Sequence, residues 1–277
     1  MLPNLIIVGA MKSGTSSLHY YLNLHPEIFM SKPKELDFFV RERNWDKGPD
    51  WYRSYFSGDA PVRGESSTSY TQCHKFSGVP ERMHSMIPDA KLIYILRDPI
   101  DRIPSHYRQL NYLKIEKRTF SEIAADPNNN EYLDTSRYYY QLKKFTPYYP
   151  LSKILVLTLE ELKNRQQETL KKVFHFLGVD DSFYCSDLTS IRNRSIDKRP
   201  KNWLGRVIFN IPFKDKVKGY FPWSIRRKIR SLTASKTPKH QQAPISNELR
   251  QKLIPYLQDD VDQLRVLTSK NFHEWCL

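Results

Sequence analysis

The stretch from Leu5 to Leu18, LIIVGAMKSGTSSL, restricts the fold more than any other part of the chain. The aliphatic run Leu5–Val8 has the length of a buried strand and ends in Gly9. A loop with a second glycine at 14 follows, and Thr15, Ser16 and Ser17 lead into SSLHYYLNLHP. There Leu18, Tyr21, Leu22 and Leu24 share one helical face, and Pro26 stops the helix. A strand that turns through glycines into a helix presents backbone N–H groups and the positive end of the helix dipole to one point. Such a point holds an anion. Gly9 and Gly14 keep the spacing of the loop G-x-x-x-x-G-K-[ST], yet Thr15 stands where the lysine belongs, and Lys12 lies inside the loop.

Two further apolar runs read as buried parallel strands, Leu92–Leu96 in KLIYILRDP and Ile154–Leu159 in KILVLTLEEL. Each precedes a segment with helical signals. Asp101 is expected to cap a helix through RIPSHYRQLNYL, EELKNRQQETLKKVFHFLGV to run as a helix to Gly178, and TSRYYYQLKKFTPYYP to form another. Alternating strands and helices specify an α/β class, a central parallel β-sheet flanked by helices, in a P-loop nucleotide-binding-like arrangement. We expect one domain over 1–277, with the Lys- and Arg-rich, proline-broken segment 192–242 as a basic cover or lid within it. Ser246 is expected to cap a last helix packed on the core, and NFHEW to anchor the C-terminal end.

Composition narrows the function classes. A hydrophobic content of 39% lets 277 residues bury a sizeable core, and no low-complexity tract or repeat argues for disorder. The formal net charge of +14 favours polyanionic partners such as nucleotide phosphates or acidic glycans. Cys73, Cys185 and Cys276 are far apart and lack the spacing of a disulfide framework or a zinc site, so no metal is expected. No apolar run is long enough to span a bilayer. The expected location is therefore cytoplasmic, and the Golgi lumen applies only if the chain is part of a longer, anchored protein.

A second anion element follows the Leu92–Leu96 strand. Arg97 comes directly after it, where strand ends face the ligand crevice, and Ser105 lies in the helix beyond. An arginine fork with a hydroxyl suits a phosphate monoester at another position of the same nucleotide; alone, the same RDP also reads as a salt-bridged strand end. With both elements in view, the chain resembles the sulfotransferases that use 3′-phosphoadenosine 5′-phosphosulfate (PAPS). It looks most like the heparan-sulfate and carbohydrate type and its bacterial relatives. MKSGTSSL matches the 5′-phosphosulfate loop and LRDPIDRIPSHY the 3′-phosphate element. KPKELDFF, DWYRSYF, GESSTSY, SRYYYQL and KILVLTLEEL support the match over residues 5 to 180, with weaker matches in NRSIDKRP and NFHEW.

The resemblance implies sulfuryl transfer from PAPS to a hydroxyl or amine of a glycan, glycolipid or lipid-like alcohol, with PAP (adenosine 3′,5′-bisphosphate) as product and no metal. Lys12 would stabilise the leaving phosphate oxygen. Ser13, Gly14, Thr15, Ser16, Ser17, Arg97, Ser105 and Tyr138 would hold the nucleotide, with Tyr139 an adjacent candidate and Lys198 and Arg199 in the loop that closes over the 3′-phosphate. Glu65 in VRGESSTSY would be the base, the alternative being a cap or structural acceptor. Lys34 would line the transfer site, and His106, with His74, stands in for the histidine base of the small-molecule branch and contacts the acceptor. Phe38 and Phe39 read as wall or core. The basic segment 214–236 has three readings: a site for an anionic acceptor, a peripheral contact with an acidic membrane, or a solvated helix. No nucleic acid and no obligate protein partner is expected. The competing functions are a P-loop kinase of a small alcohol and a non-catalytic polyanion-binding protein.

Overall fold

The computed structural model describes residues 1–127, 130–189 and 246–277. The expected cover segment 192–242, with Lys198 and Arg199, lies outside the described residues, as does the basic stretch 214–236.

The chain opens with β1 (Leu5–Gly9), α1 (Thr15–Leu22) and β2 (Ile28–Met30). It continues through α2 (Gly48–Arg53), β3 (Val62–Ser66), α3 (Val79–Met86), β4 (Lys91–Leu96) and α4 (Pro99–Tyr112). Three short helices follow, α5 (Phe120–Ala125), α6 (Glu131–Asp134) and α7 (Tyr138–Lys143). Then come β5 (Ile154–Thr158), α8 (Leu159–Asn164), α9 (Gln166–Leu177), α10 (Asn247–Leu253) and α11 (Gln258–Thr268). The strands form one sheet in the order β2-β3-β1-β4-β5, with every neighbouring pair parallel. All strands therefore end on one edge, and the loops that leave that edge share a crevice.

The sheet is covered on both faces, which is why β1, and β4 after Lys91, are continuous apolar runs rather than alternating. Leu5, Ile7, Ile93 and Ile95 pack under α1 and α9, against Leu18, Leu22, Val173 and Phe174. Ile6, Val8, Leu92 and Tyr94 face the other way, toward Met83 of α3, Tyr138 and Leu142 of α7, and Val261 and Leu264 of α11. Phe272 and Trp275 close that second core, their rings stacked at 4.3 Å, so the expected C-terminal anchor is present. Phe38 and Phe39 have no exposed surface and belong to the same core.

Several helix ends differ from expectation. The cap of α4 is Asp98, whose carboxylate accepts from Ile100 N at 2.8 Å and Asp101 N at 3.3 Å. Asp101 sits inside the first turn, because Pro99 takes the first helical position and sets the start three residues earlier. The long segment after β5 splits into α8 and α9 at Arg165. The C-terminal segment starts at the expected cap Ser246, but it breaks around Pro255 into α10, a single 3₁₀ turn and α11. Among the described residues no helix is long and apolar enough to cross a membrane.

Candidate active site

The loop between β1 and α1 and the turn between β4 and α4 meet on the shared edge. Strands β1 and β4 are hydrogen-bonded neighbours, with Gly9 opposite Tyr94, and Ala10 N donates to Ile95 O at 2.7 Å. The glycine loop and Arg97 are therefore brought together by sheet register itself.

The loop is shaped to leave amides open. Gly14 caps α1 at φ +93 and supplies no side chain to the first turn, which has no acidic residue either. A Cβ at Gly14 would sit 2.6 Å from Leu159 Cδ1, so steric contact as well as backbone geometry keeps glycine here. Lys12 also adopts a left-handed backbone, φ +73, which costs a non-glycine residue about 1 kcal/mol. Ser13 and Thr15 are buried, and Ser16 and Ser17 are partly exposed beside them.

Arg97 is held by its backbone and left open at its head. Tyr138 OH donates to Arg97 O at 2.8 Å. The guanidinium approaches Asp101 only at 3.9 Å, and that carboxylate is bound more closely by Arg250 at 2.7 Å. Among the described residues Arg97 Nε is buried without a hydrogen-bond partner, an orphan that an anion at this edge would satisfy. Ser105 is buried one turn beyond Asp101 on the same face of α4, and Arg108 lies within electrostatic reach of Arg97.

Other expected site residues are placed differently. Tyr138 has no exposed surface; its ring packs edge-on to Tyr94 at 6.0 Å, so it fixes Arg97 rather than offering a face to a base. His106 is 1% exposed, with its ring at 4.8 Å from that of Tyr132. Burial and then the Arg102 charge push its pKa down to about 2, so it is neutral and closed off from any acceptor. His74 is half-buried and pairs with Gln141.

Glu65 lies within β3, not after it, and has no exposed surface. Its Oε1 accepts from Tyr52 OH at 2.9 Å and Tyr70 OH at 2.5 Å, and its Oε2 accepts from Ser67 Oγ at 3.2 Å. Burial raises its pKa to about 7, against the opposing pull of the three hydroxyl donors. The carboxylate that does face outward is Glu35, in the same KPKELDFF segment as Lys34. Glu35 N donates to Ser66 O at 2.9 Å, which lays this segment along the end of β3. Its Oε2 accepts from Thr68 N at 2.9 Å and Thr68 Oγ1 at 3.2 Å, while Oε1 pairs with Lys34. The side chain is 37% exposed, and its backbone φ is +65. On the α1 side, His19 Nδ1 lies 2.9 Å from Ser66 Oγ, and burial followed by the Lys34 charge lowers its pKa to about 4.

Sequence reasoning missed Glu35, although the motif that named Lys34 contained it. It also missed Asp98 as the cap, for which the Asp-Pro pair was the available signal. Among the described residues no group of three or more His, Cys, Asp or Glu side chains is arranged to hold a metal.

A family model described as "Sulfotransferase domain" matches residues 2–203. The chain belongs to the sulfotransferase family. Among its relatives, the human "Heparan sulfate glucosamine 3-O-sulfotransferase 5" is 33% identical over 220 residues, covering 70% of this chain and 62% of that protein. The human "Bifunctional heparan sulfate N-deacetylase/N-sulfotransferase 2" is 28% identical over 232 residues, covering 71% of this chain. This sulfotransferase spans about a quarter (26%) of the length of that bifunctional relative. A crystal structure of a sulfotransferase from Alicyclobacillus acidocaldarius superposes with a TM-score of 0.72 over 99% of both chains at 23% identity, which shows the shared fold.

Proposed function

We propose that this sulfotransferase moves a sulfuryl group from PAPS to a hydroxyl or amine of a glycan acceptor. The observation that carries the nucleotide half is the register of β1 with β4. It sets an open helix start at Gly14 and an unsatisfied guanidinium nitrogen at Arg97 side by side. One molecule with two separated anions, a 5′-phosphosulfate and a 3′-phosphate, suits that pair. The glycan half is supported by the relatives, whose names describe sulfation of heparan sulfate.

Within this reading the 5′ anion lies on the amides of Gly14–Ser16 with the Ser and Thr hydroxyls beside it, and Arg97 with Ser105 receives the 3′-phosphate. Lys12 stabilises the bridging oxygen as the sulfur–oxygen bond breaks and negative charge moves onto the departing phosphate. Proton removal from the acceptor falls to Glu35 rather than Glu65. A general base must come within hydrogen-bond reach of the acceptor, and Glu65 is sealed beneath Tyr52 and Tyr70 whereas Glu35 is exposed and held in place by Thr68. Lys34, paired with Glu35, is placed to contact the sulfuryl oxygens or an acidic group of the acceptor. Tyr138 and His106 serve the site from behind, as supports.

The test is incubation with labelled PAPS and heparan-type oligosaccharides, one set with free glucosamine amines and one set fully N-sulfated. Label entering either set supports the reading, and the set labelled distinguishes amine from hydroxyl transfer. Failure to label either, together with no binding of PAP by calorimetry, removes it.

A further inference from the structure

Arg102 is the largest side chain with no exposed surface in the described residues, and the roles assigned so far leave it unused. Its guanidinium joins three chain segments. Nε donates to Ser136 Oγ, just before α7, at 2.9 Å and Nη2 to Tyr132 O, in α6, at 2.6 Å. Nη1 reaches Met11 O, in the glycine loop, at 3.5 Å and lies 3.4 Å from His106 Nδ1 on its own helix. None of these four partners carries a negative charge. A buried guanidinium ordinarily has a carboxylate beside it, because desolvating a cation is expensive and only an opposite charge offsets it. Charges of both signs act on it from beyond these partners, the Arg97 guanidinium and the Glu131 carboxylate.

The place of this group explains why the fold keeps it. The Met11 carbonyl belongs to the peptide that leads into Lys12, which stands in the left-handed backbone region. That conformation persists only if its surroundings over-determine it. Ala10 N is tied to Ile95 O and Ser13 N to Ala10 O, and Arg102 holds the carbonyl between them from α4. On its other side the fork grips Ser136, two residues ahead of the Tyr138 whose hydroxyl fixes the Arg97 carbonyl.

We propose that Arg102 is the positioning residue of the nucleotide site: its fork sets the Met11–Lys12 peptide and the Arg97 turn relative to each other, and its buried charge is complemented by the anions of the bound nucleotide. This rests on the nucleotide reading above. It differs from a purely structural tie in one respect. A purely structural tie costs stability when its donors to Tyr132 O and Ser136 Oγ are lost, and it weakens every ligand alike. The loss of affinity from Arg102→Met should instead grow with the number of anions on the ligand.

The experiment is calorimetric titration of the wild-type chain, Arg102→Met and Arg102→Lys with PAP and with adenosine 5′-monophosphate, beside thermal melting of each. For Arg102→Met we expect PAP affinity to fall about 30-fold or more and monophosphate affinity by less than about 10-fold. Arg102→Lys, which keeps the charge without the fork, should fall between wild type and Arg102→Met. Equal losses for the two ligands, or PAP affinity within about threefold of wild type, overturn the inference. If Arg102→Met does not fold, Arg102→Lys decides by the same criterion: a larger loss for PAP than for the monophosphate supports it, and a uniform loss or none sinks it. Absence of PAP binding by the wild-type chain would instead refute the nucleotide reading on which it stands.

Discussion

At the scale of single residues, two glutamates separate roles that the sequence merges. Both lie in segments quoted for the family resemblance, and a sequence does not show which of them is covered. Glu65 lies under two tyrosine hydroxyls, while Glu35 projects at the end of β3. Glu35→Gln should lower the transfer rate by about 10²–10⁴-fold with little change in melting temperature, as removal of a general base does. Lys12→Ala should lower kcat by about 10²–10³-fold by removing the donor to the departing oxygen. Initial rates with labelled PAPS check both. Glu65 makes a different prediction. Its pKa is raised from 4.5 to about 7, so the protonated form is the one the fold favours. The native state then binds more protons than the unfolded chain between those values. Stability contributed by this residue falls as pH rises from about 4.5 through about 7, by about 3 kcal/mol in all. Glu65→Gln should flatten that decline, so its melting temperature relative to wild type should be higher at pH 8 than at pH 5. A pH-independent difference would contradict the assignment.

At the scale of elements, what was legible follows burial. The strands β1, β4 and β5 are near-continuous apolar runs because the sheet is covered on both faces, and the sequence shows them directly. The strand β3, VRGES, carries an arginine and a glutamate and gives no such signal; β2 has only three residues. Their place in the sheet comes from pairing with neighbours, which a local pattern does not contain. Helix breaks were hidden for a related reason. The apolar spacing of α9 continues back through α8, while the break at Arg165 is made by backbone geometry. The cap of α4 shows how local chemistry reaches the site. Asp98 Oδ1 holds the first amides of α4, and Oδ2 accepts from Cys276 N at 2.8 Å, fastening the C-terminal segment to the Arg97 turn. Asp98→Ala should cost about 1–2 kcal/mol from the lost cap and should also weaken PAP binding. Denaturant melts and calorimetry read the two effects separately.

At the scale of the whole molecule, the site is assembled from distant parts of the chain. The glycine loop comes from residues 9–15, the segment with Lys34 and Glu35 from 31–37, the arginine turn from 97–105, and their support from α7 and the C-terminal anchor. The two elements proposed to hold the nucleotide were recognisable separately in the sequence; their adjacency is a property of the strand order. Trp275 stacks on Phe272 and reaches Tyr138 at 5.8 Å, so the anchor lies directly behind the residue that fixes Arg97. Trp275→Ala should destabilise the fold by about 3–5 kcal/mol, measured by denaturant unfolding, and should lower PAP affinity in the fraction that remains folded.

The start of α1 has a practical corollary. Main-chain amides recognise an oxyanion by its shape and charge and are blind to whatever it is esterified to. Inorganic sulfate and phosphate should therefore occupy the same cradle and slow the enzyme competitively against the donor. Rates recorded in phosphate buffer, or after ammonium sulfate fractionation without dialysis, would understate the true turnover.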